Sequence, residues 1–103
     1  MKTETFYCAS PIDGRYMTFQ CFSNENMNFG EINIYTKGNP YKKESKSGWV
    51  TSSSGYSNRD HADVNLIDNN VWTKYASKNG HKWHWFQVDF GKEMKVSMKW
   101  FKP

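Results

Sequence analysis

The sequence has little arginine, and its positive charge is spread out. The chain carries twelve lysines but only two arginines, Arg15 and Arg59, for a formal net charge of +4. Nucleic-acid-binding proteins usually cluster their basic residues on one element, whereas these lysines are scattered except at 42–46. A solvated basic surface is therefore favoured over nucleic-acid binding, which would rest on charge alone.

Cysteine and long apolar runs are also scarce. Cys8 and Cys21 are the only cysteines, too few for a disulfide framework or a metal cluster. No run approaches the roughly 20 apolar residues of a membrane-spanning helix. No apolar stretch follows residues 1–4, so no signal peptide is predicted. The chain is then either cytosolic or begins after processing.

Motifs of common enzyme classes are missing. Residues 52–55 lack the G-x-S-x-G frame of a nucleophile elbow, and there is neither a P-loop nor a glycine-rich dinucleotide turn. His81 and His84 lie close in sequence, but no third or fourth zinc ligand accompanies them. A hydrogen-bonding role is favoured for such histidines. We therefore expect a binding protein rather than an enzyme.

Aromatic residues are abundant, at 17% of the chain. They favour strands, and no stretch of ten or more residues has a helical period. Apolar and polar residues alternate over 15–22, 31–35, 86–90 and 93–101. The side chains predicted to face inward are Met17, Phe19, Cys21, Ile32, Ile34, Phe86, Val88, Phe90, Met94, Val96, Met98 and Trp100. Short strands with polar connections predict an all-β sandwich or jelly roll.

Turns and polar segments divide these strands. Turns are predicted at Pro11–Gly14 and at Gly91–Lys92. Residues 37–48 are rich in Gly, Pro, Ser and Lys and read as a linker within one small domain, 1–103. Residues 52–84 are polar and irregular, and so long a connection in a small domain is usually functional.

That irregular segment contains three oxygen-bearing side chains at N-x-x-D-x-N spacing. Asn65, Asp68 and Asn70 supply amide and carboxylate oxygens, which hard cations such as calcium prefer. Leu66-Ile67 between them can anchor the loop to the core. The alternative is that these residues only form turns through their own side-chain hydrogen bonds.

Five aromatic residues follow the motif within fifteen positions. Aromatic faces beside a polar loop suit the C–H faces of sugars and equally suit packing in the core. The residues are Trp72, Tyr75, Trp83, Trp85 and Phe86.

Residues 52–92 resemble the opening half of a discoidin-like, galactose-binding jelly roll. The resemblance rests on the segments S-S-x-Y at 53–56, Ala62, N-L-I-D-N-N at 65–70 and W-F-Q-V-D-F-G-K at 85–92. Residues 3–36 resemble the final strands of one branch of that family, the F-type lectins. The matching segments there are T-F-Y-C at 5–8, Pro11, G-R-Y-M-T at 14–18 and G-E-I-N-I at 30–34.

The chain thus begins with a segment that resembles the end of a lectin domain (the tail segment, 1–36). After the linker it continues with a segment that resembles the beginning of one (the head segment, 49–103), and the middle of the lectin domain is absent. Because the termini of such jelly rolls lie close together, this order is typical of a circular permutant. It is equally the order of an excerpt across the junction of two tandem domains. The resemblance implies a truncated or permuted jelly roll, of an extracellular type.

The resemblance also implies a calcium site. Its ligands would be Asn65, Asp68 and Asn70 from the head segment, Glu31 from the tail segment and an oxygen near Ser77. Because the tail and head segments both contribute, this site predicts that they form one folded unit.

A glycan is the partner that the resemblance implies. His81 matches the family's fucose-binding histidine, and Trp72 and Tyr75 are further candidate ligand-binding residues. The family's arginine segment is not present, so weak or absent fucose binding is expected. The alternative function is a protein–protein interaction module with the same fold. Self-association is expected through two sheet edges, Met94–Phe101 and Tyr16–Phe22, whose backbone groups would lack partners.

Overall fold

The computed structural model describes residues 4–25, 27–55, 61–70, 72–78, 80 and 82–102. The described chain is all-β, as predicted, with antiparallel pairing throughout and one short 3-10 helix, Asp63–Ile67. The strands are β1 (Glu4–Phe22), β2 (Asn28–Phe29), β3 (Glu31–Thr36), β4 (Lys42–Lys43), β5 (Val50–Ser53), β6 (Tyr75–Ala76) and β7 (Trp83–Lys102). No helix in this part of the chain is long and apolar enough to cross a membrane.

β7 is the central strand of the main sheet. Along its first half it pairs with β1 on one side and β5 on the other, and along its second half with β1 and β3. The prediction that Met94–Phe101 forms a sheet edge is wrong for Met98–Phe101, which pairs with β1 on one side and with β3 on the other. β1 is an outer strand, as predicted for Tyr16–Phe22, and β4 extends the sheet beyond β3.

Both predicted turns are wrong, because β1 and β7 continue through them. The pairing of β1 with β7 shifts register between Tyr7 and Ile12 and again between Gly14 and Tyr16. Such irregularities leave residues out of the hydrogen-bond ladder, which lets Pro11 sit in an outer strand without an N–H. Gly91 keeps β7 continuous with a φ of +77°, a conformation that favours glycine.

The inner face of the sheet carries the predicted core. Phe19 stacks on Phe86 with ring centroids 5.4 Å apart. The buried core side chains include Met17, Ile32, Ile34, Phe86, Val88, Phe90, Met94 and Val96, which confirms these predictions. Cys8 and Cys21 both pack against the core, and both are free thiols among the described residues. The side chains of Met98 and Trp100 lie outside the described part.

The segment 37–48, predicted to be a linker, contributes to the fold. Its strand β4 pairs Lys42 with Thr36 and Lys43 with Tyr35. Further along, Lys46 is buried, with 8% of its surface exposed. The segment therefore closes over the start of β3 rather than crossing solvent.

Candidate functional site

The loop that contains the N-x-x-D-x-N motif is fixed to the sheet at its start. Asp63, the first residue of the 3-10 helix, accepts hydrogen bonds from the hydroxyls of Thr51 (2.7 Å) and Ser53 (2.9 Å) on β5. Leu66 is fully buried in the core and Ile67 packs against it, which confirms that this pair anchors the loop. These contacts present the residues that follow at the surface.

The next residues form consecutive side-chain-to-backbone turns. The Asn70 N–H donates to Asp68 Oδ1 (2.9 Å), and the Trp72 N–H donates to Asn70 Oδ1 (3.0 Å). The Thr73 hydroxyl donates to Asp68 Oδ2 (2.5 Å). These are the turn-forming hydrogen bonds expected for this motif as the alternative to a calcium site. They hold the Trp72 backbone while 81% of this residue is exposed.

Asn69 joins this loop to the start of β3. Its φ of +60° lies in the left-handed region, which asparagine tolerates better than most residues. In this conformation its N–H donates to Glu31 Oε2 at 3.1 Å. The tail segment and the head segment therefore meet at Glu31.

Glu31 forms a buried ion pair with Lys46. The Lys46 ammonium donates to Glu31 Oε2, and the two side chains are only 4% and 3% exposed. Burial raises the pKa of Glu31 to about 7, although Lys46 and the Asn69 N–H both favour the charged carboxylate. Burial also lowers the pKa of Lys46, against the attraction of Glu31. The charge on each group is therefore stabilised mainly by the opposite charge of the other.

Asp68 lies near both members of the ion pair. The nearby Asp68 carboxyl group contributes to the raised pKa of Glu31, while the Asp68 charge counteracts the lowering of the pKa of Lys46. Glu31 Oε1 is buried and has no hydrogen-bond partner among the described residues, and the same holds for Asn33 Oδ1. Glu31 and Asn33 share one face of β3, two residues apart. This face of β3 therefore carries two buried acceptors without a donor among the described residues.

The other predicted metal ligands use their polar groups elsewhere. The Asn65 side-chain amide donates to the Lys74 carbonyl (2.8 Å). Ser77 is fully buried, and its hydroxyl oxygen accepts the Met27 N–H (2.6 Å). Among the described residues, no three His, Cys, Asp or Glu side chains gather as a metal site would require.

A calcium ion fits this arrangement only if Lys46 moves away. The structure does bring the predicted ligands Glu31 and Asp68 close together. However, the ammonium of Lys46 already bonds to Glu31 Oε2, and a divalent ion bound to the same carboxylate would be repelled at that range. The carboxylates therefore suit a cation, and in the folded chain that cation is a lysine.

The predicted ligand-binding residues have different fates. Trp72 is at the surface, as described above. Tyr75 is fully buried, its hydroxyl donates to the Trp85 carbonyl (3.1 Å), and its ring packs edge-on against Phe86, so no surface of Tyr75 is available to a ligand. His81 lies outside the described residues. Buried His84 bonds to the Ser23 carbonyl through Nε2 (3.0 Å), in line with the hydrogen-bonding role expected for it.

Lys46 is the site residue that sequence reasoning missed. It stands between two serines in a segment without periodicity, and three nearby lysines of similar appearance, Lys37, Lys42 and Lys43, are exposed. No local pattern distinguishes it from them. The only available signal was indirect, because a buried glutamate at the start of β3 requires a positive partner.

A second surface feature lies on the outer face of the main sheet. Phe22 and Trp83 are paired across β1 and β7, with ring centroids 4.9 Å apart and exposures of 60% and 62%. Tyr16 and Val50 both oppose Asp89 in the register, about 20 Å further along the strands, and each is more than half exposed. We call these three aromatic residues, together with Val50, the outer aromatic face.

Comparisons of the chain with protein-family models, curated proteins and solved structures found no match.

Proposed function

We propose that the chain is a carbohydrate-binding module with a truncated or circularly permuted jelly-roll fold. The observation that carries the proposal is Trp72. This indole is 81% exposed on a loop whose backbone is held by three side-chain hydrogen bonds. An exposed aromatic ring on a hydrogen-bonded loop, beside amide and hydroxyl groups, offers both a stacking surface and hydrogen-bond partners to a sugar.

The pairing of the strands supports a single folded unit. β1 and β3 come from the tail segment, and both flank β7 from the head segment. Glu31 of the tail contacts Asn69 of the head. A circular permutant requires such pairing within one chain.

Fucose binding is proposed to be weak or absent. The arginine segment of the resembled lectins is missing, and hydrogen bonds to charged groups contribute about 1.5–3 kcal/mol each. Titration with free fucose tests this part of the proposal. A submillimolar dissociation constant would contradict it, and would mean that other basic residues had replaced the arginines.

A glycan array tests the main proposal. Binding of the wild-type chain to one or more glycans is expected, with loss of signal in Trp72→Ala. Trp83→Ala is the matched control, because it removes an exposed tryptophan from the outer aromatic face and not from the loop. No binding to any glycan, or equal binding by wild type and Trp72→Ala, would contradict the proposal.

The outer aromatic face supports a protein–protein interaction module as the second candidate. Aromatic residues are enriched at protein interfaces, and exposed clusters of them often mark interaction sites. The two candidates differ in which tryptophan matters. A partner protein lost by Trp83→Ala and retained by Trp72→Ala would favour this second function.

A further inference from the structure

We infer that Lys46 is a built-in cation that fills the Glu31–Asp68 site, and that a divalent cation binds there only once the lysine side chain is removed. The inference goes beyond the proposed sugar binding and does not depend on it. It concerns how the loop that carries Trp72 is held in place.

The first argument is the position of the ammonium. Lys46 lies in segment 37–48, outside β3 and outside the loop, and its ammonium donates to Glu31 Oε2. Both side chains are almost completely buried. The same oxygen accepts the Asn69 N–H from the loop. One carboxylate oxygen thus connects segment 37–48, β3 and the loop. In a metal-dependent loop, a bound metal ion makes the same kind of connection.

The second argument is the set of acceptor oxygens on this face of β3 and on the adjoining loop. Glu31 Oε1 and Asn33 Oδ1 are buried acceptors without a donor among the described residues. Asp68 adds a second carboxylate at the exposed end of the site. Carboxylate and amide oxygens are the donors that Ca²⁺ takes. Glu31, Asn33 and Asp68 together therefore carry more acceptor oxygens than one ammonium uses, and removing the lysine would leave the Glu31 carboxylate for a metal.

The third argument is the choice between the two cations. An ammonium tethered to the chain is present at every metal concentration, so it excludes a weakly bound external ion. Replacing Lys46 by methionine keeps most of the side-chain volume but removes the charge. The carboxyl groups then require either a proton or another cation, and a test at pH 8 rather than at neutral pH weakens the competition from the proton.

The test measures melting temperatures at pH 8 in calcium and in chelator. For wild type we expect the same melting temperature in both. For Lys46→Met we expect a lower value in chelator and an increase of about 4 °C or more in calcium, which corresponds to a several-fold excess over the dissociation constant. Lys43→Met, an exposed neighbour, serves as the matched control and should behave as wild type.

A second variant protects the test against a failure to fold. Glu31→Gln/Lys46→Met carries no buried charge at the site, so it should melt higher than Lys46→Met in chelator and should not respond to calcium. Three results would overturn the inference: a calcium shift in wild type as large as in Lys46→Met, a folded Lys46→Met that ignores calcium, or an unfolded Lys46→Met that calcium does not rescue. Absence of glycan binding would leave all these readouts unchanged.

Discussion

Two ion pairs of the same chemical type hold different parts of this molecule. Lys46 and Glu31 are 4% and 3% exposed and lie where three segments meet. Arg15 and Asp89 are 50% and 26% exposed and lie on the outer face of the sheet, between neighbouring strands. The Arg15 pair has the better geometry, with two hydrogen bonds of 2.8 and 3.1 Å.

From this difference we expect exposure to solvent, rather than geometry, to decide how much each ion pair contributes to the stability of the fold. Water stabilises Arg15 and Asp89 separately, so breaking their contact costs little. Lys46 and Glu31 have lost that water, and each depends on the other for the stabilisation of its charge. The exposed pair therefore adds local order, whereas the buried pair is a condition for the packing of segment 37–48 and the loop.

The largest expected effect follows from Lys46→Met. Removing one member of a buried ion pair leaves an uncompensated charge and typically costs about 3–5 kcal/mol. We expect a loss of this size in the free energy of unfolding, measured by urea denaturation at pH 8 in chelator. Lys43→Met should stay within about 0.5 kcal/mol of wild type. Equal effects of the two substitutions would mean that Lys46 is solvated.

Glu31→Gln should have a smaller effect than Lys46→Met. It leaves a buried ammonium without its carboxylate, but the lysine side chain is long enough to turn its charged end towards water. Because the amide resembles the protonated carboxyl group that burial favours at this position, we expect a loss of no more than about 1 kcal/mol. The comparison of the two single variants by urea denaturation at pH 8 checks this asymmetry, and the reverse order would contradict it.

The next prediction concerns pH, which should act on the two pairs in opposite directions. Burial raises the pKa of Glu31 from 4.5 to about 7, so the folded state holds this proton more tightly than the unfolded chain. The stabilisation from Glu31 is therefore complete below about pH 4.5 and is lost as the pH rises through about 7. Arg15 and the Gly91 N–H lower the pKa of Asp89 below 3.8, so its stabilisation is present above that pH and is lost as the pH falls further.

Urea midpoints between pH 5 and pH 8 measure the contribution of Glu31. We expect the wild-type midpoint to fall over this range and the Glu31→Gln profile to be flatter. Asp89→Asn leaves Glu31 in place, so it should keep the wild-type slope above pH 5. A slope that survives Glu31→Gln would assign the pH dependence to another group.

The sequence predicted the strands well where one face of a strand is buried. The alternation of Met17, Phe19 and Cys21 with exposed neighbours in β1 appears in the structure as expected. In β3, however, both faces are buried. Ile32 and Ile34 lie on one face, and Glu31 and Asn33 lie on the other. Alternation alone assigns polar residues to solvent, so it could not show that a second segment covers this side.

The order of the strands and the role of Lys46 could not be predicted locally. Whether β7 is an edge or the centre of a sheet depends on partners far away in sequence, and β1 and β3 both reach it from the other end of the chain. In the same way, Lys46 becomes part of the site only because the fold brings Glu31 and Asn69 beside it. At the candidate site, Asp68 was predicted from the N-x-x-D-x-N spacing and Glu31 from the resemblance to lectins, but the lysine that binds Glu31 was not predicted.

The smallest expected effect is that of Arg15→Met, the same kind of replacement as Lys46→Met at the exposed pair. Asp89 would keep its hydrogen bond from the Gly91 N–H (2.8 Å) and would gain water in place of the guanidinium. Because salt screens exposed charges, any difference between wild type and Arg15→Met should shrink in 1 M NaCl, while the effect of Lys46→Met should persist. Urea midpoints of wild type and the two variants, each at low salt and in 1 M NaCl, give the answer. If Arg15→Met lowers the midpoint as much as Lys46→Met does, exposure to solvent is not what separates the two ion pairs, and the bidentate geometry of Arg15 must be stabilising the sheet in its own right.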